Sequence, residues 1–309
     1  MSAIATIDMS HEDWLEARKN GIGGSDVAAL LGISKYKSPV ALWLEKTGMV
    51  EPEDLSEKES VYWGNTLEEV VAKEFERRTG KKVKRRNAIL FHSEHQHMFA
   101  NIDRKVLGEP AGLECKTAGW RQESRWDGDE VPDEYYLQCQ HYMAVTGLKK
   151  WYIAVLIGGQ TFVWKEIPRN EEIIQMLIEK EAEFWDMVQR GIRPAIDGSE
   201  ASTEALKREL PSSNGNTIDL PADAAFWIEQ YEAGKESVKT AEEMVRLAEN
   251  HLKEFLGENE AGECGERIVS WKSTKPREVF DKAKFEADYP GVYQNYTKEG
   301  AASRRFSLK

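Results

Sequence analysis

Apolar residues recur at helical spacing in several separate stretches of the chain. In residues 62–79 the apolar positions from Leu67 to Phe75 fall on one side of a helix, and Gly80 ends the run. Residues 133–145 predict a second helix, because residues spaced by three, four and three positions share one face: Tyr135, Gln138, Tyr142 and Val145. Runs bounded by capping residues, glycine or proline predict further helices at 10–19, 27–31, 39–48 and 171–189.

Short alternating or apolar runs lie between these helices and predict strands. A turn at 108–110 separates two of them, at 98–107 and 112–117, and a Gly-Gly turn separates another pair, at 151–157 and 160–167. A strand-like segment near 83–91 precedes both pairs. This order of elements predicts an α/β core of about 190 residues around a four-stranded mixed sheet, and a core of this length lies within the usual range of domain sizes.

The last third of the chain has a different pattern. From Trp227 to Phe255, apolar or small residues follow one another at alternating spacings of four and three without interruption. This is a seam of four heptads, which is typical of a coiled coil or of a long helix packed on another helix. Gly234, Ala241 and Ala248 make the seam narrow.

These patterns divide the chain into four parts. Residues 1–9 are expected to be a flexible tail, and residues 10–196 an α/β domain. Residues 197–221 are polar and are interpreted as a linker. We predict a long helix and a small α+β module for residues 222–309, with strands at 267–271 and 303–308 around a helix that begins near Asp281.

Composition excludes several classes of protein. No apolar run approaches the roughly 18 residues that a membrane span needs, and the N-terminus lacks the charged-then-apolar pattern of a signal peptide. Cys115, Cys139 and Cys264 are too few and too scattered for a disulfide framework or a zinc site. We therefore expect a cytoplasmic protein without a membrane partner.

The charge of the chain bears on whether it binds nucleic acid. A formal net charge of −12 argues mildly against such a partner, because proteins that bind phosphates usually carry a basic surface. Residues 81–86, however, are a dense basic run in an otherwise acidic chain. This run has two interpretations of nearly equal weight: a strand edge whose charges prevent aggregation, or a surface that faces a phosphate backbone.

Two carboxylates and an amine flank the turn at 108–110. Asp103 precedes the turn, and Glu114 and Lys116 follow it on alternate positions of a predicted strand, so both point to one face with Cys115 on the other. An antiparallel hairpin would bring Asp103 next to Glu114. Paired carboxylates suit a hard cation such as Mg²⁺, and a bound metal activates water and offsets phosphate charge. The competing interpretation of this loose pattern is a set of solvated turn residues.

Residues 21–26 form a glycine-rich turn just before a predicted helix. Such a turn presents free backbone N–H groups at the positive end of a helix dipole, which suits an anion. Ser25 would add a hydroxyl group and Arg18 a bidentate cation. The alternative is an ordinary turn in which Ser25 or Asp26 caps the helix.

Three histidines cluster before the strand at 98–107. The spacing of His92, His95 and His97 would suit metal ligands, but no cysteine or further histidine lies near enough to complete a zinc shell. We expect a polar turn at this position.

Four motifs follow one another along the chain. They are Arg18 with Ile22-Gly23-Gly24-Ser25-Asp26, Gly64-Asn65-Thr66-Leu67-Glu68-Glu69, Ile102-Asp103 with Glu114-Cys115-Lys116-Thr117, and Tyr135-Tyr136-Leu137-Gln138-Cys139-Gln140. In these motifs and in their order, the chain resembles the YqaJ-type phage recombinase nucleases, relatives of phage lambda exonuclease, over about residues 10–190. The resemblance implies a restriction-endonuclease-like α/β core, with a central mixed sheet flanked by helices.

The resemblance implies a metal site at the central hairpin. Asp103, Glu114 and the backbone carbonyl of Cys115 would hold divalent metal ions. Lys116 would position or activate the attacking water. Glu68 would lie on a helix that supports the metal site.

The resemblance also implies two further groups of site residues. Gln138, with Tyr135 nearby, would lie on the helix that completes the metal site. Arg18 and Ser25 resemble a pocket for the 5′-phosphate of a DNA end, which agrees with the interpretation of the glycine turn as an anion site. The basic run at 81–86 is then expected to face a DNA backbone.

The implied activity is stepwise hydrolysis of one strand of linear duplex DNA from a 5′ end, which leaves a 3′ single strand. Mg²⁺ would be the cofactor, and Mn²⁺ would substitute for it. A single-strand annealing protein that loads on the product would be a partner in phage or prophage recombination. Lambda exonuclease is a trimeric ring, so a homo-oligomer such as a ring is expected.

Two other functions remain open at this point. One is an endonuclease on the same fold. The other is a non-catalytic DNA-end-binding scaffold that recruits an annealing protein through the C-terminal seam. The scaffold is disfavoured because Asp103, Glu114 and Lys116 are all present.

Overall fold

The structure of the protein is a computed structural model that describes residues 2–55, 57–300 and 303–308. The chain divides between Pro211 and Ser212 into two compact units. The strands are β1 (Ala3–Ala5), β2 (Ile22–Gly23), β3 (Val83–Arg85), β4 (Ala88–Phe91), β5 (Met98–Asn101), β6 (Arg104–Val106), β7 (Ala111–Ala118), β8 (Lys150–Ile157), β9 (Thr161–Pro168), β10 (Ala261–Cys264) and β11 (Arg267–Ser270). The helices are α1 (His11–Lys19), α2 (Val27–Leu30), α3 (Pro39–Lys46), α4 (Glu59–Thr79), α5 (Asp133–Thr146), α6 (Glu171–Arg190), α7 (Glu200–Glu209), α8 (Ala224–Leu256), α9 (Lys282–Asp288) and α10 (Pro290–Asn295), with short 3-10 helices at Gly24–Asp26 and Trp120–Trp126.

Local capping signals set the ends of several helices. The hydroxyl of Ser38 accepts a hydrogen bond from the N–H of Ala41 at 3.2 Å, and Pro39 occupies the first turn of α3. Gly80 after α4 and Gly147 after α5 adopt left-handed conformations, with φ of 71° and 70°. The predicted helices in the first unit are confirmed, with ends that differ by a few residues.

The first unit contains two sheets. Among the residues described, the larger has five strands in the order β3-β6-β7-β8-β9, and the smaller has four in the order β1-β4-β5-β2, so the prediction of a single four-stranded sheet is wrong. In the larger sheet β7 is antiparallel to β6 and parallel to β8, so the sheet is mixed. The predicted fold class, α/β with a central mixed sheet flanked by helices, is confirmed.

The residues predicted as one strand at 98–107 belong to two sheets. β5 pairs with β4 in the smaller sheet, whereas β6 pairs with β3 and β7 in the larger one. Ile102 and Asp103 lie between them, where the chain passes from one sheet to the other. The segment 83–91 divides in the same way, into β3 and β4. An alternating run suits either sheet, so the pattern alone did not reveal these crossings.

Helices α4 and α5 cover opposite faces of the larger sheet. Phe75 of α4 packs on Tyr152 of β8, with ring centroids 5.3 Å apart, in a cluster that includes Leu113 of β7. Residues of β8 that point the other way, such as Ile153, pack with α5. Because side chains alternate along a strand, Glu114 points to the face that α5 covers.

The first unit is longer than the domain predicted at 10–196. β1, within the predicted tail, pairs with β4. α7 lies within the predicted linker, where Ser199 caps it and Ala205 is buried in a cluster with Trp43 and Phe184. The unit gains these elements because the linker sequence carries both a capping serine and a buried apolar position, which its polar composition concealed.

The second unit consists of α8, the hairpin β10–β11 and the short helices α9 and α10. The long helix at the predicted seam is confirmed, and it spans 33 residues. The strand predicted at 303–308 is wrong: β11 pairs instead with β10, which directly precedes it, and residues 303–308 are not in a strand. In the part of this unit that the structure describes, Leu256 is the only buried residue.

Nowhere in the described part of the chain is there a helix long and apolar enough to cross a membrane.

Candidate active site

The hairpin of β6 and β7 brings Asp103 beside Glu114, as the sequence predicts. The last residue pair of this ladder is Arg104 with Leu113, so Asp103 and Glu114 are the next residues along the two strand segments. The carboxylate Oδ2 of Asp103 accepts a hydrogen bond from the backbone N–H of Cys115 at 2.8 Å. The side chain of Asp103 therefore takes the place of a strand partner at the point where β6 ends alongside β7.

This arrangement determines where the carbonyl of Cys115 points. In a strand the N–H and C=O of one residue face the same neighbour. Because the N–H of Cys115 faces Asp103, its carbonyl oxygen lies on the same side, away from β8. The three ligands expected from the sequence, Asp103, Glu114 and the Cys115 carbonyl, thus lie at one place.

Lys116 and Gln138 complete a triangle of polar groups with Glu114. The Lys116 ammonium lies 2.7 Å from Glu114 Oε1 and donates a hydrogen bond of 3.1 Å to Gln138 Oε1. The Gln138 amide donates to the same Glu114 Oε1 at 2.9 Å. Gln138 reaches this position from α5, the helix that covers this face of the sheet. Side chains from two distant segments therefore converge on one carboxylate oxygen.

Two tyrosines of α5 surround this triangle. Gln138 Nε2 donates a second hydrogen bond to the hydroxyl of Tyr142 at 2.7 Å, which fixes the orientation of the amide. The Lys116 ammonium lies 4.9 Å from the ring centre of Tyr135, within the range of a cation–π interaction. Tyr135 itself stacks on Trp126 with centroids 5.6 Å apart. The ammonium is therefore held on three sides.

Burial and neighbouring charge perturb the pKa values of this site. Burial, and then the charge of Glu114, raise the pKa of Asp103 well above its usual range, and Lys116 offsets only part of this. Burial alone would lower the pKa of Lys116, but the carboxylates of Glu114 and Asp103 outweigh it and raise that pKa. Lys116 therefore stays cationic at neutral pH. Two close carboxylates with too little positive charge are a site that attracts a cation.

One atom in particular fits a metal ion. Glu114 is 3% exposed, and its Oε2 is enclosed without a hydrogen-bond partner among the residues described. Leaving a buried carboxylate oxygen unpaired is costly, and a cation would satisfy it. The described residues contain no group of three or more His, Cys, Asp or Glu arranged to hold a metal. Mg²⁺ needs only one or two carboxylates because it keeps several waters, so the residues present fit this ion.

Glu68 lies beside the site but is engaged by Arg104. Arg104 is buried, and its Nη1 donates hydrogen bonds to Glu68 Oε1 and, at 2.8 Å, to the carbonyl of Asp103. Its Nη2 donates to Glu69 Oε2 at 3.0 Å. Arg104 thus joins α4 to the hairpin, and Glu68 is placed near Asp103 through this arginine.

Arg18 and Ser25 meet at the glycine turn, as predicted. Arg18 Nη2 donates a hydrogen bond of 2.8 Å to the exposed hydroxyl of Ser25, and lies 3.6 Å from Asp26 Oδ1. Lys46 donates to Asp26 Oδ2 at 2.8 Å. Burial would raise the pKa of Asp26, but Lys46 and then Arg18 outweigh it and hold that pKa below its usual range. The turn therefore holds two cations around one buried carboxylate.

The glycine turn packs on the helix that carries Gln138. A Cβ built on Gly24 would lie 2.6 Å from Tyr142 Cε1 and 3.1 Å from Gln138 Cγ. Only a glycine allows this approach. The Arg18–Ser25 cluster and the Glu114 site are thus connected through α5.

The sequence did not single out Arg104 or Lys46, and it assigned Tyr142 no role at the site. Arg104 directly follows Asp103, but a charged residue inside a predicted strand gave no sign of burial. Lys46 has the pattern of an ordinary basic residue at a helix end. Tyr142 did appear in the helical pattern of α5, four residues after Gln138, and this spacing was the one usable signal.

Two other sequence features have structural outcomes. The three histidines lie at a turn in which His92 Nδ1 accepts hydrogen bonds from the N–H groups of Glu94 and His95, as expected for a polar turn. The basic run at 81–86 lies on and around β3, the edge strand of the larger sheet. Lys81 in this run pairs with Glu109 at 2.8 Å.

Comparisons with known proteins agree with the resemblance seen in the sequence. Residues 13–149 match the YqaJ-like viral recombinase domain. The chain is 44% identical over 306 residues to the uncharacterized protein YqaJ of Bacillus subtilis strain 168, a match that covers 98% of this chain and 95% of that protein.

Solved structures give a partial similarity. An alkaline exonuclease from Laribacter hongkongensis (LHK-Exo) has a TM-score of 0.49 at 18% identity, covering 59% of this chain and 94% of that one. The same enzyme in complex with dAMP has a TM-score of 0.49 at 19% identity, covering 64% and 97%. A phage-related exonuclease from Haemophilus somnus has a TM-score of 0.43 at 14% identity, covering 56% and 96%.

Proposed function

Because this chain belongs to the YqaJ-like viral recombinase family, we propose that it is a metal-dependent DNA exonuclease of homologous recombination. Its substrate is the end of linear double-stranded DNA. It hydrolyses one strand stepwise in the 5′-to-3′ direction and leaves a 3′ single-stranded overhang for annealing.

The observation that carries this proposal is the convergence of Asp103, Glu114 and Lys116. A carboxylate pair whose enclosed oxygen, Glu114 Oε2, accepts no hydrogen bond from any described residue is suited to a cation. An ammonium group held 2.7 Å from Glu114 Oε1 is suited to a phosphate. Both kinds of group at one place would assist phosphodiester hydrolysis, the metal by activating water and the ammonium by offsetting charge on the phosphate.

Asp103, Glu114 and the carbonyl of Cys115 would hold Mg²⁺, with Mn²⁺ as a substitute. When bound, the metal supplies an activated water and offsets the charge that develops on the phosphate.

Lys116 and Gln138 would contribute through their own side chains, in addition to the metal. With its pKa raised by Glu114 and Asp103 against the effect of burial, Lys116 remains protonated. It therefore donates hydrogen bonds to a water or phosphate oxygen and does not remove a proton. Gln138 orients this ammonium through the 3.1 Å hydrogen bond to its Oε1. Glu68 and Tyr135 support the site, Glu68 through Arg104 and Tyr135 as a ring beside Lys116.

Arg18 and Ser25 are proposed to bind the terminal 5′-phosphate. Ser25 is exposed, and the guanidinium of Arg18 already donates to its hydroxyl at 2.8 Å. A terminal phosphate would accept hydrogen bonds from both groups. Recognition of the 5′ end here, next to α5, would set the direction of digestion.

We further propose that the protein works in the cytoplasm as a homo-oligomer, together with a single-strand annealing protein. The annealing protein would load on the 3′ strand as it is exposed.

One experiment tests the proposed function directly. Linear duplex DNA with a 5′-phosphate, the same DNA with a 5′-hydroxyl, and a closed circle are incubated with the enzyme in Mg²⁺ and in EDTA. The expected result is metal-dependent loss of the linear DNA, faster with the phosphate, while the circle stays intact. Cutting of the circle would establish the endonuclease instead, and end binding without cutting would establish the scaffold.

A further inference from the structure

The apolar seam of α8 is exposed along its length. Val238, Val245 and Leu252 are 53%, 59% and 41% exposed, and Trp227 and Phe255 near the ends are 66% and 80% exposed. Among the described residues of this unit only Leu256, at the end of α8, is buried. A helix of 33 residues, about 50 Å long, gains little stability from so small a core.

Large and small side chains alternate along this seam in a way that makes the helix complementary to itself. With Tyr231, Val238, Val245 and Leu252 at the a positions of the heptads, the d positions hold Gly234, Ala241, Ala248 and Phe255. If a second copy of the helix runs in the opposite direction, each a residue faces a d residue. In one alignment the facing pairs are Tyr231–Phe255, Leu252–Gly234, Val238–Ala248 and Val245–Ala241, each formed twice.

In the central layers of this alignment a large residue meets a small one. The pairs Val238–Ala248 and Val245–Ala241 fill similar volumes, so the helices approach evenly along the seam. In a parallel pair, by contrast, identical residues meet. Layers that contain only small residues, such as Gly234 or Ala241, would then alternate with layers of valine or leucine. The distance between the two helix axes would therefore have to vary along the seam.

The charges beside the seam favour the same arrangement. In the antiparallel alignment the e positions face one another, which places Lys235 opposite Glu249 of the second copy, twice. Glu242 meets its own copy on the two-fold axis, a single unfavourable pair, and Met244 meets Met244 on the other side. In the parallel arrangement e faces g, and no opposite charges meet.

From this complementarity we propose that α8 forms an antiparallel two-helix interface with α8 of a second copy of this chain, centred between Ala241 and Val245. The interface is isologous, so the same surface is used by both copies. Phe306 lies against Tyr231, with ring centroids 5.5 Å apart, and extends the aromatic contact at each end of the seam.

Disulfide trapping in the full-length chain tests the alignment. The exposed Cys264 is first replaced by serine, and Cys115 and Cys139 are kept. The double variant Val238→Cys with Ala248→Cys is expected to form a covalent dimer under mild oxidation, because the two residues face each other across the interface. Val238→Cys alone, and Val238→Cys with the outward-facing Glu243→Cys, are expected to stay uncrosslinked. A covalent dimer from Val238→Cys alone would mean a parallel pair and would overturn the proposal.

The mass in solution gives a second, independent readout. Light scattering on the wild-type chain is expected to give about twice the 35.2 kDa of one copy at micromolar concentration, and not the three copies of the ring that the resemblance to lambda exonuclease implies. Val238→Glu should return the mass to one copy, whereas Glu243→Gln should not. A wild-type monomer, or a mass of three copies unaffected by Val238→Glu, would show that this face is covered by something else.

These measurements do not depend on nuclease activity. The interface would stand if no DNA were cleaved, and it would fail without affecting the proposed reaction.

Discussion

Gly24 packs directly on the ring of Tyr142, so closely that a Cβ at position 24 would lie 2.6 Å from Tyr142 Cε1. Tyr142 in turn accepts a hydrogen bond from Gln138, the residue that orients Lys116. The proposed phosphate pocket and the proposed metal site are therefore joined where Gly24 packs on Tyr142 and Gln138. A substitution at the glycine turn should thus affect both the phosphate pocket and the metal site.

Gly24→Ala tests this connection. The added methyl group should displace α5, destabilise the fold by about 1–3 kcal/mol and slow cleavage by up to about a hundredfold, because small misplacements at a reacting centre are costly. Thermal melting and single-turnover cleavage measure the two effects. Gly198→Ala is the control, since a Cβ at position 198 would have no atom of the described residues within 4 Å. Normal cleavage by Gly24→Ala would show that the two sites are not coupled.

Asp103→Asn should abolish most of the activity without lowering the stability of the fold. Burial and the charge of Glu114 raise the pKa of Asp103, so removing its charge relieves repulsion, while the amide oxygen can still accept from Cys115 N–H. We expect an unchanged or higher melting temperature together with a loss of cleavage of at least about a thousandfold. Binding to DNA ends should persist. A variant that cleaves normally would remove Asp103 from the site.

Lys116→Ala should slow cleavage by about 10²–10³, the usual contribution of one such electrostatic group. The reason is that a protonated ammonium is held beside Glu114 and Gln138, at the place where a phosphate would lie. Single-turnover rates on 5′-phosphorylated duplex measure the effect. Lys105→Ala, an exposed lysine on the neighbouring strand β6, is the matched control and should cleave at the wild-type rate.

Arg18→Ala should weaken recognition of the 5′-phosphate without slowing the hydrolysis step itself. The variant loses one donor to a terminal phosphate, so cleavage of 5′-phosphorylated DNA should fall while cleavage of 5′-hydroxyl DNA changes little. The ratio of the two rates is the measurement. Lys19→Ala removes a neighbouring charge that pairs with Glu16 and Glu51, and should leave the ratio unchanged. An equal loss on both substrates would refute the pocket.

Asp26→Asn should change the dependence of stability on pH. Burial acts to raise the pKa of Asp26 in the folded protein, but Lys46 and Arg18 outweigh it and lower that pKa. The Asp26 carboxylate therefore contributes its full share to the free energy of unfolding above the unfolded pKa of about 3.9, and this contribution is lost as the pH falls toward the folded pKa. The variant leaves Lys46 buried with the carbonyl of Arg18 but without its negatively charged partner, so it should be less stable by about 3 kcal/mol near neutral pH. This deficit should shrink below about pH 4. Urea unfolding between pH 3 and 7 checks it, and a deficit independent of pH would contradict the role of the charge.

Features specified by local sequence could be predicted. Asp103 and Glu114 lie on the two arms of one hairpin, so a turn and two short strands were enough to place them together. Helix ends followed from capping residues such as Ser38 and Gly80. The order of motifs was sufficient to identify the family.

Features that depend on distant contacts could not be predicted. Lys46 and Asp26 are paired because two helices meet, and nothing in either segment indicates that the lysine is buried. His141 is likewise fully buried, with Glu181 at 2.8 Å and the carbonyl of Phe99 at 2.8 Å as its partners. In sequence it is one more polar residue in α5. Partners 20 to 42 residues apart leave no periodic signal.

The turn at the far end of the β6–β7 hairpin decides which face the catalytic candidates occupy. Since side chains alternate along β7, a slip of the pairing by one residue would turn Glu114 and Lys116 toward α4 and send Cys115 to the reacting face. The turn is fixed by Gly108, whose φ of 85° favours glycine, and by Glu109, which pairs with lysines of β8 and of the edge-strand region. A change in the length or conformation of this loop could thus leave the sheet folded but place Cys115, instead of Glu114 and Lys116, on the face that α5 covers.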